Sequence, residues 1–230
     1  MNIIACQIEN EKPTDRKIEW YRYYAPIKAS FGSDLLLASS DSPDIAEDYD
    51  IPIHVVSDIR RLNPDALNIL PQPTALPRRV NDWTYPRYVR SVLACFLAAH
   101  DLGAERLILL DSDTFVLSAR LARHLGTLDR GCGSCWCERF GFAEIMCSAF
   151  CRDTYQAVID FIHGKSWEQW TEPQPEPFEM MLPKAIPDFQ IWRQFIGNRY
   201  SECEVRTVPE DADFVCQGNA GTCRWKNESD

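Results

Sequence analysis

The sequence predicts an α/β protein, with a mostly parallel central sheet flanked by helices and a small mixed β annex. Three observations predict it. Short apolar runs alternate with amphipathic segments over residues 1–100, the order that builds parallel sheets. The clearest amphipathic segment, residues 85–97, leads by a short connection into the apolar run Arg106-Leu107-Ile108-Leu109-Leu110. That run lacks polar alternation, as a strand buried on both faces does, and it ends in Asp111-Ser112-Asp113.

Element by element, Met1 to Gln7 reads as the first strand and Arg16 to Lys28 as a helix ended near Phe31-Gly32. Asp34 to Ala38 reads as the second strand, closed by the turn-rich Ser39-Ser40-Asp41-Ser42-Pro43. Ile51 to Val56 reads as a third, and its Pro52 suits a strand start or a sheet edge. Residues 57–84 carry Pro64, Pro71, Pro73 and Pro77 and read as a long irregular loop, a feature that is often functional inside a compact domain. In the following helix Tyr85, Tyr88, Val89, Val92, Leu93, Phe96 and Leu97 recur at three-and-four spacing. Pro86 suits its first turn and Gly103 the position past its end. Ser118 is placed to cap a short helix through Leu125. Further on, Gly131 to Cys137 and Phe142 to Phe150 read as strands, and Asp153 to His163 as a helix. Residues 171–187, with five prolines, read as a loop, and Phe189 to Ile196 as a short helix opening near Asp188. The tail from Cys203 reads as one or two strands and a polar end.

A chain of 230 residues buries a large core. No apolar run approaches the length of a membrane span, and the N-terminus lacks the features of a signal peptide, so a cytoplasmic protein is expected. The net charge of −10 argues against a broad electrostatic grip on nucleic acid or anionic lipid. Positive charge is concentrated at Arg78, Arg79, Arg87 and Arg90. The ten cysteines include Cys132-x-x-Cys135-x-Cys137, a spacing with a metal-site look. No second such pair follows at a finger-like distance, and Cys135 and Cys137 alternate as strand residues do, so buried structural thiols are the expectation.

The chemistry is concentrated at Asp111 and Asp113. Along an extended chain their side chains project to one side, at the carboxyl end of the strand, where open α/β sheets bind ligands. Two carboxylates there form a hard-oxygen site suited to Mg²⁺ or Mn²⁺. The plain alternative is an acidic loop with one Asp capping the next helix.

Together, the nucleotide-like first half, the helix, the apolar strand ending in Asp-x-Asp and the mixed second half resemble the GT-A glycosyltransferases. The string Leu109-Leu110-Asp111-Ser112-Asp113-Thr114-Phe115-Val116-Leu117 looks most like the retaining glycogenin- and galactosyltransferase-like branch. The order of elements matches over most of residues 1–200, and specific matching is confined to about 85–118, with weaker echoes at 142–161 and 188–196. The resemblance implies one GT-A-like domain over 1–230, with residues 1–118 the nucleotide-sugar and metal-binding half and 119–230 the acceptor side. It implies a UDP-sugar or related donor, Mn²⁺ or Mg²⁺, and a glycan, protein or other acceptor. Asp113 would hold the metal directly, and Asp111 would share it or touch the donor ribose. Ser112 lies between them in the donor site. Gln7, Ile8, Glu9 and Asn10, at the end of strand one, would bind the nucleoside, and Arg90, with Arg87 second, would contact the donor. Glu144 would be a polar group in the sugar pocket. Asp188 would be the acidic residue near the reacting carbon, with Glu179 as substitute. The branch completes its metal site with a late histidine, whereas the last one here is His163; Asp211, Asp213 or Asn219 would have to supply the oxygen instead.

Two other classes bear on the same residues. A haloacid-dehalogenase-like phosphatase also carries two aspartates after an apolar strand, but near its N-terminus. A non-catalytic GT-A-like scaffold would bind without turnover, and retention of both aspartates speaks against it. Nucleotidyl transfer would need a glycine-rich loop after strand one, and Gln7 to Pro13 contains no glycine. Sugar transfer onto nucleic acid runs against the acidic balance.

Overall fold

The computed structural model describes residues 1–8, 15–40, 50–72, 75–81, 84–139, 141–200 and 208–217. Its strands are β1 (Asn2–Ile8), β2 (Ser33–Ser40), β3 (Ile53–Val55), β4 (Leu67–Pro71), β5 (Arg106–Leu110), β6 (Thr114–Val116), β7 (Cys132–Cys137), β8 (Phe142–Cys151), β9 (Gln190–Trp192), β10 (Gly197–Tyr200) and β11 (Phe214–Gln217). Its α-helices are α1 (Asp15–Tyr24), α2 (Pro86–Asp101), α3 (Ala119–Thr127), α4 (Tyr155–His163), α5 (Trp167–Trp170) and α6 (Phe178–Ala185).

An eight-stranded sheet runs in the order β3-β4-β2-β1-β5-β8-β7-β9, and a three-stranded sheet in the order β10-β11-β6. In the large sheet β3, β4, β2, β1 and β5 are mutually parallel, β8 is antiparallel to β5 and β7, and β9 is parallel to β7. The mostly parallel sheet with a small mixed annex is therefore the observed architecture.

The absence of alternation in the strands has the expected cause. Ile3, Ala5, Leu107 and Leu109 face one apolar layer with Val92, Phe96, Tyr155 and Leu182. Ile4, Cys6, Ile108 and Leu110 face a second layer with Trp20, Tyr24, Phe31 and Leu121. Strands covered on both faces need apolar side chains at every position.

Local signals hold at several termini. Pro86 opens α2, and Gly103, at φ 63°, follows its end. Ser118 caps α3 by accepting from the Leu121 N–H. Gly32, at φ 60°, ends the 3₁₀ turn Lys28–Phe31 that follows α1. Pro52 directly precedes β3, which lies at the sheet edge.

Three segments differ from expectation. The loop expected over 57–84 contains β4, which joins the sheet between β3 and β2. Its polar Asn68 is fully buried, donating to the Leu36, Asn63 and Ala66 carbonyls and accepting from the Asn63 N–H. A satisfied amide is compatible with a central strand. The loop expected over 171–187 contains α6, with Pro183 inside it. Burial of Phe178, Glu179 and Leu182 along one face holds the helix despite the proline. The helix expected from Phe189 is instead β9, which pairs with β7 at Gly133↔Gln190. A Cβ on Gly133 would meet the Gln190 oxygen at 2.6 Å and the Trp192 ring at 2.8 Å, so glycine admits the neighbouring strand.

Candidate active site

The site forms where the chain leaves one sheet for the other. β5 ends at Leu110, the next three residues are Asp111-Ser112-Asp113, and β6 of the small sheet begins at Thr114. These three residues form a turn, closed by Thr114 N–H donating to the Asp111 carbonyl at 3.0 Å. The carboxylates thus owe their common location to a turn, which corrects the expectation of strand alternation. All three residues are partly exposed at the carboxyl edge of the parallel strands.

The turn is pinned from both sides by α1. The Trp20 indole N–H donates to the Leu110 carbonyl at 2.9 Å, just before Asp111. The Tyr24 hydroxyl donates to the Thr114 carbonyl at 2.8 Å and accepts from the Val116 N–H at 3.1 Å, just after Asp113. Tyr23 adds a bond to the Val116 carbonyl. From β8, the Met146 carbonyl accepts from the Asp111 N–H. A buried aromatic side chain with a satisfied polar tip fixes both packing and backbone, so the turn is rigidly presented.

Around it lies a set of charged groups from separate elements. Glu144 on β8 is fully buried, and its carboxylate accepts the Arg199 fork from β10, Nε at 2.6 Å and Nη2 at 2.8 Å. Arg199 also reaches the Met146 sulfur, and the ion pair raises its guanidinium pKa. Glu179 on α6 is buried, and burial raises its carboxyl pKa, with Glu144 adding and Arg199 opposing. Tyr88 on α2 is buried within electrostatic reach of Glu179, Asp111, Glu144 and Arg199; burial and then Glu179 raise its phenol. On β11, Cys216 lies within reach of Glu144, Arg199 and Asp113, and its thiol contacts the Thr114 hydroxyl at 3.3 Å.

The other expected residues fall as follows. Gln7 is buried near the end of β1, opposite Ser39 of β2. The Gln7 Oε1 and Ser39 Oγ atoms are buried with no hydrogen-bond partner among the described residues. Ile8 ends β1, and Glu9 and Asn10 lie outside the described residues. Arg87 and Arg90 lie in the first turns of α2, at the same edge as Tyr88. Arg87 donates to the Leu76 carbonyl, and Arg90 stacks over the Trp167 ring at 5.0 Å.

The two residues expected beside the transferred sugar are placed as follows. Glu144 is fully buried and paired with Arg199. Asp188 opens no helix; it is exposed, in a left-handed turn at φ 56°, two residues before Gln190. Gln190 pairs with Gly133, which pairs with Ala149, which pairs with Ile108. Asp188 therefore lies level with the amino end of β5, at the opposite edge of the sheet from Asp111. The buried acid within reach of Glu144 and Arg199 is Glu179.

Of the late oxygen donors, Asp213 is committed elsewhere, accepting from Ser118, Arg120 and the Ile196 N–H; Asp211 is exposed, and Asn219 is outside the described residues. The thiols of Cys132, Cys135, Cys137, Cys147 and Cys151 are buried, as expected, and burial pushes Cys132 to about 12 and Cys151 to about 11. Among the described residues no three His, Cys, Asp or Glu side chains lie close enough together to chelate an ion. Asp111 and Asp113 supply two hard oxygen donors, the number a Mg²⁺-like ion takes from protein when phosphates and water complete its shell.

No family model and no curated protein matches the chain. Solved structures do, among them two glycosyltransferases. One is a glycosyltransferase involved in the glycosylation of the major capsid of PBCV-1, at TM-score 0.52 and 10% identity, covering 99% of this chain and 97% of that one. The other is an active-site mutant of LgtC, at TM-score 0.53 and 11% identity, covering 94% of this chain and 87% of that one. The chain has the α/β fold of these glycosyltransferases.

Proposed function

We propose that the chain is a metal-dependent glycosyltransferase that moves a sugar from a nucleoside-diphosphate sugar to an acceptor. The observation that carries this reading is the pinned Asp111-Ser112-Asp113 turn at the carboxyl edge of β5, faced by Tyr88, Glu144, Glu179 and Arg199. The shared fold supports it.

Asp111 and Asp113 would hold Mn²⁺ or Mg²⁺; a bound ion of this kind supplies positive charge against the charge building on a leaving diphosphate. Hard oxygens suit such ions, and the surrounding carboxylates outnumber Arg199, so added positive charge is favoured there. Gln7, Ile8, Glu9 and Asn10 would take the nucleoside, with the buried Gln7 Oε1 accepting from a base N–H. Uracil offers such a donor, in keeping with a UDP-sugar. Arg87 and Arg90 extend the donor site along α2. Glu179, in place of Asp188, is the carboxyl group facing the transferred sugar. Burial raises its carboxyl pKa and so favours the neutral form, the one that can donate a hydrogen bond to a sugar oxygen. The acceptor is a glycan, a protein or another hydroxyl-bearing molecule. No described helix is long and apolar enough to cross a membrane, and we place the enzyme in the cytoplasm.

A thermal-shift screen of UDP, GDP, CDP and dTDP with and without Mn²⁺ tests the reading. One nucleotide should stabilise the protein only with metal, by roughly 2.7 kcal/mol at about 100 times its dissociation constant. Asp113→Asn should abolish that shift while leaving the melting temperature of the free protein near wild type. Silence toward every nucleotide and metal would refute the assignment. Hydrolysis of a phosphate monoester without nucleotide binding would transfer it to the phosphatases.

A further inference from the structure

Resting on that reading, we propose that Arg199, held by Glu144, is a donor-site residue that faces the diphosphate. It is a fixed cation of the protein that shares the charge of the leaving group with the metal.

The placement follows from strand register. Arg199 pairs with Cys216 across β10 and β11, and Cys216 pairs with Thr114 across β11 and β6. Thr114 adjoins Asp113, so Arg199 stands two strand spacings, roughly 10 Å, from the backbone of the metal-binding turn. A second path is shorter: Arg199 Nη2 contacts the Met146 sulfur at 3.4 Å, and the Met146 carbonyl holds the Asp111 N–H. Arg199 is thus tied to the turn from both sheets.

Its setting differs from that of a surface staple. Glu144 is 0% exposed and Arg199 retains 22% side-chain exposure, so the arginine alone of the pair reaches solvent. The bidentate clamp fixes the guanidinium plane and removes the rotamer freedom a cation would otherwise lose on binding phosphate. Among the groups that act on the Tyr88 phenol, Arg199 is the one positive charge beside Glu179, Asp111 and Glu144. A dianionic or trianionic ligand brought to this edge meets that cation first among them.

The test compares UDP, UMP and uridine binding to the full chain, with and without Mn²⁺, by calorimetric titration. Arg199→Met should weaken UDP by about tenfold, equivalent to about 1.4 kcal/mol, and leave uridine within about twofold. Arg199→Lys, which keeps the charge and serves if the Met variant does not fold, should lose less than Arg199→Met. Glu144→Gln keeps an acceptor for Arg199 and removes a negative charge, so metal-free UDP binding should strengthen by about threefold. Equal weakening of UDP and uridine, or an unchanged ratio between them, would reduce Arg199 to a structural pin and overturn the inference. Failure of the wild type to bind UDP or UMP at all would instead refute the proposed function on which it rests.

Discussion

Removal of the Asp213 carboxylate should undo the joint that holds the small sheet against α3 and, through β6, the site turn. Asp213 is 0% exposed and precedes β11. Its carboxylate accepts from the Ser118 hydroxyl, from Arg120 Nε at 2.7 Å and Nη2, and from the Ile196 N–H at 2.7 Å. Its backbone adds bonds to Leu117, Ser118 and Ile196. In Asp213→Ala, Arg120, with its side chain 54% exposed, returns to water at little cost. The Ile196 N–H stays partly buried without a partner, at about 1–3 kcal/mol, and the charge-assisted bond from Ser118 adds about 1.5 kcal/mol. The sum is about 2.5–4.5 kcal/mol, or a melting-temperature drop of roughly 5–18 °C for a chain of this size. Urea denaturation and calorimetry read it directly. The pH dependence gives an independent arm. The Arg120 and Ser118 bonds hold the Asp213 carboxyl below its ordinary pKa despite burial. Its stabilisation is therefore complete above the unfolded-state value, about 3.9, and is lost as pH falls through the lower folded value. Asp213→Asn should flatten the acid limb of the wild-type stability profile. A loss under about 1 kcal/mol in the alanine variant, or an unchanged acid limb in Asp213→Asn, would refute the reasoning.

Two further substitutions follow from the same physics. Glu179→Gln should stabilise the protein at neutral pH and impair turnover: the raised carboxyl pKa means its stability contribution, full below about pH 4.3, is lost as pH rises through the folded value, so the melting-temperature gain at pH 7 should vanish near pH 4. Gly126→Ala should destabilise by about 1–3 kcal/mol in denaturant melts although alanine favours helix by about 1 kcal/mol, because its Cβ would stand 2.3 Å from the Phe31 backbone oxygen.

Much of the fold was legible because the signals are local. The period of residues 85–97, Pro86 and Gly103 define α2, and Ser118 defines the start of α3. The both-face burial of β5 is written in its unbroken Leu and Ile run. Misreadings arose where tertiary contacts overrode local chemistry. Asn68 resembles a loop residue until three carbonyls accept from it. Pro183 resembles a break until Phe178 and Leu182 are buried around it. The segment after Asp188 takes strand form because Gly133, far away in the chain, leaves room for it.

The same division runs through the candidate site. The sequence by itself determined that two aspartates follow a buried strand, since strand character and the Asp-x-Asp spacing lie within a few residues of one another. It also determined the buried thiols and the arginines near the start of α2. Only the tertiary structure decided that the aspartates meet in a turn pinned by Trp20 and Tyr24, that Glu144 is clamped by Arg199, and that Glu179 rather than Asp188 lies within reach of that pair. These partners are separated by 55 residues in the Glu144–Arg199 pair and by 90 in the Trp20–Leu110 bond. Over such spans no propensity or period connects residues; strand order and register bring them together.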